Sequence, residues 1–174
     1  MDDEEFILPD HELLTLLPYG LAGVIYRSPL PFSPLFDRQG LLLDAFINAG
    51  VDAVVMLTPK QEVKELLGMD LYTSYKQLGF DVIYAPVEDF SIPNRSAFQE
   101  PIERTMRAAK AGLTTVIHCH AGLGRTGMFA ACLAKVVFGL DGAQASHWVR
   151  QYISRAVETR EQGQFVKDFE FKTD

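Results

Sequence analysis

Between Thr114 and Gly127 the chain passes from an apolar, β-branched segment through His118 and Cys119 into a turn holding Gly122 and Gly124. It then continues into the apolar stretch Met128 to Val137. That order predicts a buried strand, a tight loop and a helix. Cys119 stands where the strand ends, and Arg125 stands six positions later where the helix begins.

The chemistry follows from that layout. Amides of the loop (His120, Ala121, Gly122, Leu123, Gly124, Arg125) turn inward, and the helix adds its first-turn donors and the positive end of its dipole. Such a nest holds a tetrahedral oxyanion, with Gly122 and Gly124 expected to supply the backbone freedom. Arg125 offers a planar fork matched to two phosphate oxygens. The same field favours the thiolate of Cys119, the nucleophilic form. The stretch is suited to attack by sulfur on a bound phosphoryl group.

His118 and Cys119, five further residues, then Arg125, Thr126 and Gly127 resemble the signature of the cysteine-dependent protein phosphatases, tyrosine-specific and dual-specificity alike. A cysteine and an arginine six apart are a weak signal alone. With the strand, two glycines and a following helix the signal is specific. The bland alternative is a buried cysteine in an ordinary α/β turn.

The chain has 174 residues, the size of one domain, with 48% hydrophobic and 22% charged residues. A net charge of −7 disfavours nucleic acid and anionic membrane as partners. No apolar run approaches the ~20 residues that span a bilayer. The start, Met1 to Glu5, is acidic and unlike a signal or transit peptide, so a cytoplasmic location is expected. Cys119 and Cys132 are the two cysteines, and Cys132 is expected in the helix core.

Residues 1–20 are expected to form an N-terminal arm and residues 21–174 the catalytic domain. Strands are expected at 24–27, 51–57 and 80–84, and helices at 41–48, 58–68 (capped by Thr58), 70–78, 95–111 (capped by Asn94), 143–153 and 158–169. Arg27 and Ser28 read as an ordinary strand end, although compact phosphatases often carry a similar Tyr-Arg-Ser segment. Arg104, Arg107 and Lys110 read as a solvated stripe. Strands alternating with helices predict an α/β domain: one central, mostly parallel sheet with helices on both faces.

Cleaving a phosphate monoester requires a proton for the departing oxygen. Ala85 to Pro93, a loop directly after a strand, resembles the Pro-x-x-Asp-x-x-x-Pro loop of these enzymes. The resemblance makes Asp89 the acid, with Glu88 its rival. It gives Thr126 the role of donating its hydroxyl to the sulfur during hydrolysis of a phosphocysteine. Gln162, in a late segment also seen in relatives, either helps to place water or is a surface residue. His118 is expected to orient the loop. His118 and His120 form a His-x-His pair, but no further ligand cluster completes a metal site, and no cofactor is implied. Phe90 either walls the pocket or packs.

The order of these parts resembles the compact dual-specificity branch, with the cyclin-dependent-kinase-associated phosphatase type as the nearest comparison. It implies a monomeric protein-tyrosine or dual-specificity phosphatase acting on phosphorylated protein. Two alternatives are a catalytically poor phosphate-binding adaptor and a phosphatase of a non-protein substrate, either a small phosphoester or an RNA 5′-phosphate. No lysine lies among His120, Ala121 and Leu123, which counts against phosphoinositides. Cys119 is further expected to oxidise reversibly.

Overall fold

A computed structural model describes residues 13–173. Its elements in chain order are β1 (Thr15–Leu16), β2 (Val24–Ser28), α1 (Leu42–Asn48), β3 (Ala53–Met56), α2 (Lys60–Leu67), α3 (Leu71–Gln77), β4 (Asp81–Tyr84), α4 (Gln99–Lys110), β5 (Thr114–His118), α5 (Gly124–Phe138), α6 (Gly142–Arg150) and α7 (Arg160–Asp168). One five-stranded sheet has the order β1-β2-β5-β3-β4. The last four strands in that order run parallel, and β1 pairs antiparallel to β2 at the edge.

Alternation along the strands divides the interior in two. Ala53, Val55, Ile83 and Ile117 pack with residues of α4, α5, α6 and α7. Val54, Met56, Val82 and Val116 pack with Leu42 and Phe46 of α1, Val63 of α2, and Leu71 and Tyr75 of α3. All four residues of β3 are buried, as the sheet's two covered faces require. The mostly parallel sheet with helices on both faces matches the expectation from sequence.

Register sets where the site forms. Ser28 and Met56 both stand opposite His118, so β2, β3 and β5 end at one edge. The loops after β2, β3, β4 and β5 gather there, as in other open parallel sheets. Leu57 N–H donates to the His118 carbonyl at 3.0 Å, and Val87 N–H donates to the Leu57 carbonyl at 2.9 Å.

Several boundaries differ from expectation for identifiable reasons. Asn94 does not cap α4, which starts five residues later at Gln99. Buried Phe98 sets that start, with its ring edge-on to Phe129 at 5.0 Å and to Phe165 at 5.4 Å. Thr58 does not cap α2 either: its hydroxyl is buried without a partner, and the Lys60 N–H instead donates to the Tyr84 hydroxyl at 3.0 Å. Asp70, not singled out from sequence, caps α3 by accepting from the Thr73 amide at 3.0 Å. In the expected basic stripe, Arg104 pairs with Asp81 at 2.7 Å and Arg107 with Glu103 at 2.6 Å. Residues 1–12 of the expected N-terminal arm lie outside the described residues. Within the remainder, β1 joins the sheet, and Leu17 and Tyr19 are buried.

Candidate active site

β5 delivers Cys119 to the carboxyl edge of the sheet, where it is buried and unpaired. The loop then turns at Gly122, whose φ is 75°. A Cβ there would also collide with the Ser28 carbonyl, so no other residue fits without moving β2. Ser28 is therefore more than a strand end: its backbone is the floor of the loop. Gly124 differs from expectation. It lies in the first turn of α5 at ordinary φ, and its missing side chain leaves room for the Glu158 carboxylate, 3.0 Å from where a Cβ would stand.

The first bond of α5 runs from the Gly127 N–H to the Leu123 carbonyl at 2.7 Å. The amides of Gly124, Arg125 and Thr126 come before it, and they are the first-turn donors that an anion can take. Beneath them, the turn before α7 closes against the helix. The Val157 nitrogen lies 2.9 Å from where a Gly127 Cβ would stand. Val157 is β-branched yet left-handed, with φ 58°. Arg150 holds that turn, donating to the Ala156 carbonyl at 3.0 Å and the Val157 carbonyl at 3.2 Å.

The Arg125 side chain is only 2% exposed. Its Nη1 and Nη2 donate to the two oxygens of Glu62 at 2.8 and 2.9 Å, and Nη1 also donates to the Val87 carbonyl at 2.9 Å. Asp89 Oδ1 approaches Nη2 at 3.4 Å. Burial opposes the guanidinium charge, but the hydrogen-bonded Glu62, with Cys119 and Asp89 adding, outweighs it and raises the pKa. Glu62 thus takes the end-on edge of the fork. The side edge, formed by Nε and Nη2, is left for a phosphate, which would displace only the longer Asp89 contact.

Glu62 was missed as a site residue. The available signal was its place: the first turn of the helix after β3 lies at the same sheet edge as the phosphate loop. Of the two acid-loop candidates, Asp89 is the one whose carboxylate reaches Arg125. Its side chain is 52% exposed and accepts from the Phe90 amide at 3.0 Å. Glu88 is exposed and has no ion pair among the described residues.

The two histidines have separate partners. His118 Nδ1 lies 3.2 Å from the Cys119 carbonyl, which can only accept, so Nδ1 carries the proton. Nε2 is then the acceptor for the Tyr75 hydroxyl at 2.9 Å. Burial lowers the His118 pKa to about 4, with the Cys119 carbonyl opposing and Arg125 adding, so the ring is neutral at pH 7. Tyr75, also missed from sequence, is fully buried, and burial raises its pKa.

His120 Nε2 lies 3.1 Å from the Ser33 hydroxyl. That oxygen already accepts from the Leu35 and Phe36 amides, each at 3.2 Å. Its proton is therefore given to Nε2, which makes His120 neutral with its own proton on Nδ1. Burial lowers the His120 pKa, which favours the neutral ring.

Thr126 is buried in the first turn of α5, and its hydroxyl is without a hydrogen-bond partner. Gln162 is buried rather than on the surface. Its Oε1 accepts from the Glu158 amide at 2.9 Å and closes a capping box with Thr159, while Nε2 points to the Ser91 carbonyl of the acid loop at 3.4 Å. Cys132 lies in the α5 core, where burial raises its pKa far above the ordinary thiol range. It is the inert cysteine of the two.

Residues 42–137, which contain β3, the acid loop and the phosphate loop, match the family described as "Polymorphic toxin system, DSP-PTPase phosphatase". Cyclin-dependent kinase inhibitor 3 of Rattus norvegicus is 27% identical over 127 residues, covering 72% of this chain and 60% of that protein. The chain thus spans somewhat less than two thirds of that curated relative's length. A solved structure of kinase associated phosphatase, with its catalytic-site cysteine replaced by serine, superposes with a TM-score of 0.79 at 21% identity, over 88% of this chain and 90% of that one. A structure of Tk-PTP in its active form gives a TM-score of 0.69 at 28% identity, over 83% and 89%. With the matched span holding Cys119, Arg125 and the loop after β4 together, the chain belongs to the DSP-PTPase phosphatase family.

Proposed function

We propose that the protein hydrolyses phosphate monoesters of phosphorylated proteins through a phosphocysteine intermediate, without a metal or cofactor. The observation that carries this is the buried Arg125 at the start of α5. It is braced by Glu62, touched by Asp89, and stands one loop from Cys119. In the first step the Cys119 thiolate attacks phosphorus while Asp89, protonated, gives its proton to the leaving oxygen. Arg125 and the loop amides hold the equatorial oxygens as charge shifts.

In the second step water attacks the phosphocysteine and passes a proton to the ionised Asp89. Thr126, whose hydroxyl is unengaged in the free protein, donates to the departing sulfur. Gln162 acts first through the capping box and its contact with the acid loop, which set how Asp89 approaches. A protein substrate fits the family, and a reducing, cytoplasmic setting suits a catalytic thiol that must stay free.

Hydrolysis of an aryl phosphate in chelator, by wild type, Cys119→Ser and Asp89→Asn across pH, tests the proposal. Turnover by wild type and none by Cys119→Ser is expected, with Asp89→Asn losing the limb that reports the acid. A wild type that hydrolyses nothing yet binds vanadate would replace catalysis with phosphate binding.

A further inference from the structure

The loop between β2 and α1 is not used by the reaction above, yet it is built tightly onto the phosphate loop. Asp37 is buried, and its carboxylate accepts from the amides of Phe32 at 2.7 Å, Leu41 at 2.9 Å and Leu42 at 3.3 Å. Ser33 is buried as well and takes the Leu35 and Phe36 amides. Two links fasten the loop to His120: the Leu30 N–H donates to its carbonyl at 2.8 Å, and the Ser33 hydroxyl reaches its ring. Phe32 holds a left-handed φ of 64° to keep this course.

The purpose of so firm a base is visible in what it presents. Polar groups point inward, while Leu35 is 62% exposed and Phe36 38% exposed. The Phe36 ring is held edge-on to His120, with centroids 5.2 Å apart. His120 follows Cys119 directly in the chain, so the Phe36 ring packs on the loop that opens at Cys119. Across the fork, the residue after Asp89 is another exposed aromatic, Phe90.

We propose that Phe36, supported by Leu35, is a specificity-determining wall that favours aryl over alkyl phosphate monoesters, hence phosphotyrosine over phosphoserine. A phosphotyrosine ring extends past the phosphate loop and can gain apolar and edge-to-face contact with such a wall. A serine side chain is too short to bring any group but its own backbone to it. A lipid surface is the weaker occupant for the same apolar rim, because the chain carries a net charge of −7.

The proposal rests on the phosphate-ester site described above, and its test separates the two. Two peptides of one sequence, bearing phosphotyrosine or phosphoserine, are compared as substrates of wild type, Phe36→Ala and Phe36→Leu. Their binding to Cys119→Ser, with and without Phe36→Ala, is measured by calorimetry. Wild type should favour the phosphotyrosine peptide. Phe36→Ala should lower kcat/KM for it by roughly tenfold, mainly through KM, and leave the phosphoserine peptide unchanged. Phe36→Leu, which keeps apolar bulk, should fall between and serves if the alanine variant misfolds. Preference for phosphoserine, equal losses on both peptides, or faster turnover of a phosphoinositide would overturn the proposal. If no form turns over, calorimetry decides alone: retained, Phe36-dependent phosphotyrosine binding upholds the wall while catalysis fails, and equal binding of the two peptides overturns it.

Discussion

Replacing Glu62 by glutamine changes one atom and isolates what the carboxylate does for Arg125. In the wild type the carboxylate accepts two charge-assisted hydrogen bonds, at 2.8 and 2.9 Å, and its side chain is 20% exposed. A glutamine keeps one acceptor and turns an N–H toward the second guanidinium nitrogen. One bond is lost, one donor pair is opposed, and the charge that offsets a buried cation is gone. Hydrogen bonds to charged groups contribute about 1.5–3 kcal/mol, so a loss of about 2 kcal/mol in stability is expected. For a domain of this size that lowers Tm by about 4–8 °C.

The same change frees the end-on edge of the fork, so Arg125 can meet phosphate in more than one way. Loss of a fixed orientation falls on the transition state, and kcat should drop by roughly 10- to 100-fold while KM changes little. Thermal unfolding and steady-state hydrolysis of an aryl phosphate give both numbers. A variant that melts within about 1 °C of wild type and keeps kcat within about threefold would show that Glu62 does not hold the arginine, and the bracing argument would fail.

Three further outcomes follow from the site. Gly122→Ala should abolish vanadate binding measured by calorimetry, because the added Cβ meets the Ser28 carbonyl and the φ of 75° is strained for alanine; unaltered affinity would refute the floor assigned to Ser28. Tyr75→Phe leaves His118 Nε2 as a buried acceptor without its donor at 2.9 Å, so a denaturant titration should show a loss of about 1–3 kcal/mol, and an unchanged midpoint would place a water there. His118 titrates near 4 in the folded protein against 6.5 when unperturbed, so the unfolded chain binds the extra proton first. The stability that comes from its neutrality is present above pH 6.5 and falls away toward pH 4, by about 3 kcal/mol, and His118→Asn should flatten that part of the stability profile.

What could be read from sequence is what local pattern controls. Apolar runs such as Ala53–Met56 and Thr114–His118 are strands because both faces of the sheet are covered, and Gly68 and Gly139 end helices with left-handed φ of 67° each. Cys119, Arg125 and the acid loop were legible because strand, turn and helix put them at one edge. Contacts between distant segments were not. Glu62 meets Arg125 across 63 residues, Tyr75 meets His118 across 43, and Ser33 meets His120 across 87. No periodicity carries such pairings. The start of α4 was misplaced for a related reason: Asn94 is a good cap in isolation, but burying Phe98 between two rings overrode it.

The division of the interior by the sheet also divides the cost of sequence change. Arg125 stands at the head of α5, where eleven consecutive residues from Gly124 to Ala134 are buried, and Cys119 lies at the end of β5 just before it. Substitution there disturbs the core and the chemistry together, at several kcal/mol. Leu35, Phe36 and Phe90 are instead exposed side chains on loops whose backbones are fixed by Ser33, Asp37 and Asp89. Exchanges at such tips cost about ±0.5 kcal/mol. Side chains at the tips of these loops can therefore drift at little cost in stability, while most changes at the head of α5 are held back by folding itself.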